Sequence, residues 1–500
     1  MRPTIRPDGR VIPVIFLFYL ALSGYTLFHH ELWSDELHSW NIAKGSGGFL
    51  ELIANTRYEG HPPGWYIILW LLSKLSRQLI ILQLAQWIIG CSVVFMVLFR
   101  SPFPSIVRLL IPFGYYFLFE YGILSRNYAG GVLLAFLLCA QYPFSKPAKY
   151  YILLFCLSNF HLLTLLLAIS LHGYFLLSLP RKSTRRLLFH SLAGLAILSV
   201  ALWFIFPPAD SQQNTSFWLS HWSPDRFKIP GPMILQSYLP IPAWWKENCW
   251  NTQFLLELKD IWPPLKLLIP VLSLALLTIP ISLLAKNKKC LIFFLCNLAL
   301  SFIVSIFAFP LTTTRHTGFL YISFLAAAWL YLYEDSFSKA ALPRVILLLS
   351  LQVAGGIFFI TLSFRQPFSN LYQVPALLKE VPAGGKLVTD YWTSNAVSAY
   401  TGKPVYCLDT ETELSYLLFN TDLARMQQKP SRFTDGMRSL AKNQGITTVY
   451  MLSQNTPAII KKIDPELEKT SRVTLLDKRE GAIEPGSNLY LYEIRFLGAN

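Results

Sequence analysis

Two short runs hold most of the ionisable groups that could do chemistry, Leu32-Trp33-Ser34-Asp35-Glu36-Leu37-His38 and Arg57-Tyr58-Glu59-Gly60-His61-Pro62-Pro63. Both follow the first long apolar stretch, 11–28, which places them in a loop at a membrane surface. Acids and imidazoles concentrated there are costly to desolvate unless they bind or react with something. A carboxylate within hydrogen-bond reach of a hydroxyl can act as a general base, and Asp35 is the candidate, with Glu36 positioning or substituting for it. Later turns on the same side add Glu120 and Arg126, then His161, then Arg315 with His316. Guanidinium forks match phosphate oxygens, so Arg126 and Arg315 suit a leaving phosphate whose charge grows in the transition state. Arg126 equally suits a headgroup anchor, and His161 a hydrogen-bonded helix end. Glu59, His61 and His316 form a carboxylate and imidazole set of the kind that holds divalent metals, although their spacing does not demand one.

These groups need a membrane scaffold. The chain of 500 residues is 53% hydrophobic, 15% aromatic and only 14% charged, far too apolar for a soluble protein of this length. Eleven apolar stretches are candidate spans: 11–28, 79–99, 109–125, 127–142, 149–160, 161–179, 187–206, 265–285, 290–309, 317–333 and 344–363. The net charge of +15 reports orientation and not nucleic acid. Segments 1–10, 100–108, 143–149, 180–186, 286–289 and 334–344 carry sixteen Lys or Arg against three acids. The alternate loops, with Glu120, hold ten basic and eleven acidic residues. By the positive-inside rule the amino terminus is cytoplasmic, and an odd number of spans puts the tail outside. The basic start and first apolar run read as an uncleaved span, because no small-x-small site follows them. Five of the seven cysteines lie in or beside apolar spans; Cys249 and Cys407 face outside, without metal-type spacing.

From Arg365 onward the composition becomes mixed and polar, which predicts a separate soluble domain over 364–500 beside a membrane domain over 1–363. Strand-like runs at Lys386–Tyr391, Pro404–Asp409, Ile446–Leu452, Arg472–Asp477 and Asn488–Phe496 alternate with helix-like Glu413–Gln427 and Phe433–Asn443, the pattern of a small α/β layer. No nucleotide-phosphate glycine loop is present. Loop 207–264 holds six of the fourteen tryptophans, Trp218, Trp222, Trp244, Trp245, Trp250 and Trp262, and is expected to lie on the bilayer. Segment Gly64–Leu75 also looks interfacial. Because the ionisable groups collect on one side and none sits midway along a span, transport is the alternative and not the first reading.

The acid pair after the first span, followed by acid-Gly-His-Pro-Pro, resembles the bacterial membrane glycosyltransferases of the protein-mannosyltransferase and aminoarabinose-transferase superfamily, which have the GT-C fold. Glu120-Tyr121-Gly122-Ile123-Leu124-Ser125-Arg126-Asn127-Tyr128 resembles their aromatic-rich turn, Ser158-Asn159-Phe160-His161 their Asn-x-His turn, and Arg315-His316 their later basic pair. The likeness covers roughly the first 330 residues. Gln83 stands where many relatives carry an arginine. The resemblance implies a polytopic α-helical GT-C-like protein with an outer soluble domain in the plasma (inner) membrane. It further implies inverting transfer of a sugar from a polyprenyl-phosphate donor to a hydroxyl of a glycan, lipid or protein acceptor on the extracytoplasmic face. Asp35 and Glu36 would then be catalytic, and Glu59, His61, Glu120, Arg126, His161, Arg315 and His316 would bind substrate. No cofactor is required by this chemistry, a divalent metal being the variant that Glu59, His61 and His316 would support. The alternative remains a multi-span transporter or lipid flippase with an outer soluble domain, and a non-catalytic assembly subunit is a third reading.

Overall fold

A computed structural model describes residues 10–179, 184–211, 223–420 and 429–497. Ten of the eleven apolar stretches form single helices there: Val11–Phe28, Ile80–Phe95 with the π-turn Met96–Arg100, Tyr128–Cys139, Pro147–Ser158, Leu162–Ser178, Thr184–Ile205, Leu265–Leu284, Lys288–Phe307, Thr314–Glu334 and Ala341–Ser363. Six helices among the described residues are long and apolar enough to cross a membrane. Thr314–Glu334 is buried along almost its whole length, because the other helices pack around its Ala326-Ala327-Ala328 waist. The eleventh stretch, 109–125, breaks into Ser105–Leu110, a 3-10 turn at Ile111–Phe113 and a π-turn at Tyr116–Glu120. Pro112 has no N–H to give a helix, which accounts for the break. Gly64–Leu75 is a 12-residue helix packed on the first loop, with Trp65 and Leu69 buried.

The carboxy-terminal part holds one six-stranded sheet: β1 Lys386–Thr389, β2 Val405–Cys407, β3 Thr412–Leu414, β4 Thr448–Ser453, β5 Ser471–Arg479 and β6 Leu489–Phe496, in the order β3-β2-β1-β4-β6-β5. β1 runs parallel to β2 and β4, and the other pairs are antiparallel. Alternation sets its two faces. Val449, Met451, Tyr490 and Tyr492 pack under helix Arg432–Gln444. Leu452, Leu489 and Leu491 join a cluster that also contains Leu37, Trp40 and Trp65 of the first loop. One apolar core therefore runs from the sheet into the loop that carries Asp35.

Two expectations need correction. Part of the expected helix Glu413–Gln427 is instead strand β3, turned back onto β2 with Glu411 at φ 56° and Val405 opposite Leu414; residues 421–427 lie outside the described residues. Helix Tyr391–Thr401 was not anticipated, although Asp390 caps its first turn through Thr393 N–H (2.8 Å) and Gly402 at φ 69° ends it. All seven cysteines are free thiols, and Cys249 and Cys407 are buried apart from solvent.

Candidate functional site

Helix Ser34–Gly45 opens with Asp35 and Glu36 in its first turn, where carboxylates meet free backbone N–H groups. The two side chains diverge. Glu36 is fully buried and accepts from its own N-cap, Trp33 N–H (3.0 Å), from His30 Nε2 (2.9 Å) and from Ser125 N–H. It fastens the first loop to the turn that carries Arg126. The structure thus places Glu36 outside the cleft, and the expectation that it could substitute as the base gives way to a positioning part. Asp35 points the other way, into a cavity of about 220 Å³, and His38, one turn on, lines the same cavity.

Two guanidinium groups converge on Asp35. Its Oδ2 lies 3.6 Å from Arg126 Nη2 and 3.5 Å from Arg315 Nη1. Arg126 Nη1 also donates to the Asp35 carbonyl (2.7 Å) and to Ser39 Oγ (2.9 Å), which fixes the arginine against the helix. Arg315 lies over Trp33 (5.0 Å) and Trp250 (5.5 Å), and Tyr121 O–H holds its backbone carbonyl (2.7 Å). The Nε atoms of both arginines are buried without a partner among the described residues. Burial pushes the Asp35 carboxyl upward, but Arg126 and then Arg315 outweigh it and hold Asp35 below its ordinary value. Arg126 is correspondingly raised; burial opposes its charge, and Asp35 more than offsets that.

The second run folds as a turn against Ser158-Asn159-Phe160-His161. Gly60 sits at φ 65°, a conformation glycine adopts without strain. A Cβ at Gly64 would lie 2.5 Å from the Asn159 carbonyl, so only glycine permits this close approach. The result sets the His61 ring 4.4 Å from that of His161, with His316 6.2 Å beyond. His161 caps helix Leu162–Ser178 by accepting Leu163 N–H at Nδ1 (3.1 Å), while its Nε2 is buried and unpartnered among the described residues, so the capping and cleft-lining readings both hold. His316 Nδ1 pairs with Thr313 Oγ1 (2.8 Å). Glu59 receives His38 Nε2 at 2.9 Å from each oxygen and Tyr66 O–H at 2.9 Å. Burial raises Glu59, and His38 with Tyr66 lowers it further than burial lifts it. Among the described residues no three His, Cys, Asp or Glu side chains form a metal-ready group, so Glu59, His61 and His316 line one cleft without forming a cage.

Glu120 is not in the cleft. It is buried in the π-turn, where Tyr115 O–H and Trp250 Nε1 (3.0 Å) donate to it, and it braces the indole beneath Arg315. The expected substrate contact from Glu120 is therefore replaced by support one layer back. Gln83 donates to the Leu27 (3.2 Å) and His30 (2.9 Å) carbonyls and so closes the end of the first helix. Trp244, Trp245 and Trp262 are exposed, whereas Trp250 folds inward; Trp218 and Trp222 lie outside the described residues. Sequence reasoning gives His38 no role, places Tyr66 and Trp250 at the bilayer surface, and does not name Asn395 or Phe419. His38 was readable, three residues after Asp35 and therefore on the same helix face. Apolar side chains of Leu162, Ile205, Pro207, Phe309 and Leu311 line the same cleft. A larger cavity, about 610 Å³, lies between Ser170–Leu179, Thr184–Leu187 and Ile292–Cys296, but among the described residues no carboxylate or imidazole lines it.

The architecture is that of a polytopic helical GT-C fold with a carboxy-terminal sheet domain. A solved structure with this arrangement is that of ArnT from Cupriavidus metallidurans bound to undecaprenyl phosphate. It matches 97% of this chain and 98% of its own, with a TM-score of 0.54 and 12% sequence identity. No protein-family model and no curated protein matches the sequence.

Proposed function

We propose that the protein transfers a sugar from a polyprenyl-phosphate-sugar to an acceptor hydroxyl at the extracytoplasmic membrane surface, with inversion. The observation that carries this is Asp35 between Arg126 and Arg315 in a cleft that apolar side chains also line. The prenyl chain lies along the apolar lining and the bilayer, and the donor phosphate meets the two guanidinium groups. Both arginines stand beyond ordinary hydrogen-bond distance from the Asp35 carboxylate, so an arriving phosphate competes for their remaining N–H groups. As they turn to the phosphate, Asp35 loses its strongest stabilisers and becomes a better proton acceptor. The acceptor oxygen attacks the anomeric carbon as its proton passes to Asp35. The carbon–oxygen bond to phosphate breaks, and its electron pair leaves with polyprenyl phosphate, whose charge the arginines neutralise. The similar ArnT structure holds undecaprenyl phosphate, which supports a lipid-linked donor. Neutral His61, His161 and His316 offer hydrogen bonds to sugar hydroxyls, and Arg126 and Arg315 alone match the charge of a phosphate diester.

The purified full chain should release polyprenyl phosphate from a synthetic polyprenyl-phosphate-sugar and leave the matching nucleotide sugar untouched. Transfer from the nucleotide sugar alone would overturn the donor assignment. Sidedness has its own test. Cysteines at exposed Gly48 and Lys403 should react with an impermeant thiol reagent in intact cells, and one at exposed Lys286 should not.

A further inference from the structure

The carboxy-terminal domain meets the cleft at His38, through the Asn395 amide and the Phe419 ring. Asn395, on helix Tyr391–Thr401, is 2% exposed, and its Nδ2 lies 3.1 Å from His38 Nδ1. The direction of this bond follows without seeing hydrogens. Glu59 presents only acceptors to His38 Nε2, so the hydrogen of the imidazole sits on Nε2 and Nδ1 accepts. Asn41 Nδ2 donates to the Asn395 backbone carbonyl (2.8 Å) and faces Asn395 Oδ1 (3.4 Å), which leaves Asn395 Nδ2 turned toward His38. Phe419 packs on the same imidazole, ring centres 5.1 Å apart, and lines the cleft. The imidazole is thus gripped at both nitrogens and on one face. A chain of donors runs from the sheet domain through His38 to the Glu59 carboxylate at the cleft wall.

We propose that Asn395 is a positioning residue for the cleft: its side-chain N–H aims the His38 ring so that Nε2–H holds the Glu59 carboxylate toward the reacting groups. The inference deepens the transfer reaction proposed above and rests on it for its catalytic consequence, while the contact itself stands independently. Outer-shell supports of metal ligands act through ligand orientation, and their loss typically costs 10- to 100-fold; an effect near the lower end is expected for Asn395, which orients His38 in the same way. Asn395 acts through another residue and touches no substrate.

The test uses the full chain in lipid nanodiscs. Asn395→Leu keeps the volume and removes the donor, and Asn395→Asp keeps the shape with acceptors only. Each should lower polyprenyl phosphate release from the synthetic donor about 10-fold in kcat with little change in donor KM. His38→Gln should lower it similarly, and adding Asn395→Leu to His38→Gln should cost nothing more, because the path from Asn395 to Glu59 is already cut. Full additivity, or wild-type rates in both Asn395 variants, would overturn the proposal. A second readout needs no turnover. With ¹⁵N-histidine labelling, the His38 Nδ1 resonance, assigned by its loss in His38→Gln, should move in Asn395→Leu. An unmoved resonance would overturn the contact, whereas a moved resonance with an inactive wild-type chain would sink the transfer reaction and leave the contact standing.

Discussion

The cleft side and the packed side of helix Ser34–Gly45 treat two neighbouring carboxylates in opposite ways. Asp35 keeps 36% of its side chain exposed and meets two arginines at 3.5–3.6 Å, distances that leave room for a third party. Glu36 has no exposure and three close donors, a closed arrangement in which nothing can be exchanged. Adjacent positions on a helix do not share a face, so an acidic pair in sequence is not a pair in space. Chemistry needs the loosely held group, and the architecture needs the saturated one.

Replacing Asp35 draws the sharpest line between the two sides. Asp35→Asn should reduce polyprenyl phosphate release by about 10²-fold or more while the thermal midpoint of the detergent-solubilised protein stays near that of the wild type. Near-normal turnover would erase the distinction, and a large loss of stability would show Asp35 to be structural. Glu36→Gln should do the reverse. It removes the charge that His30 and two backbone N–H groups share, and should cost about 2 kcal/mol of stability, read as a lower thermal midpoint. Arg315→Lys keeps the charge and loses the fork over Trp33 and Trp250, so kcat/KM for the lipid-linked donor should fall about 10-fold at unchanged stability. A fall in the thermal midpoint as large as that of Glu36→Gln would place Arg315 on the structural side. The smallest effect concerns pH. Because Arg126 and Arg315 depress Asp35, its charge persists below its ordinary value and is lost only as pH falls through the lowered one, so the acid limb of kcat/KM should lie below the ordinary carboxylate range. Arg315→Ala should move that limb upward, and a limb that stays fixed would separate it from Asp35.

Much of the membrane scaffold was readable, since apolar length is a strong signal: Val11–Phe28 and Leu265–Leu284 begin where the sequence puts them. The break at 109–125 was signalled by Pro112 but masked by the apolar residues around it. Asp35, Glu59, His61, Arg126, His161, Arg315 and His316 meet in one cleft, and their common side of the membrane was the legible clue. Glu36 and Glu120 carried the same clue and fold away from the cleft, because side of membrane does not specify face of helix. Asn395 and Phe419 gave no local signal at all. Their relation to His38 exists only after a sheet domain has packed against a loop near the other end of the chain, and period and composition do not report such pairings.

The partners Asn41 and Asn395 stand 354 positions apart, and Gln454 Nε2 reaches Ser34 Oγ (3.2 Å) across a still longer interval. During synthesis the loop bearing Asp35 therefore emerges long before the residues that clasp it. A nascent chain that stops after its last membrane helix possesses the carboxylate and both arginines but no clasp on His38. The clasp on His38 forms only once the carboxy-terminal sheet has folded against the first loop, so the part of the chain made last completes the wall of a cleft whose first residues are made early.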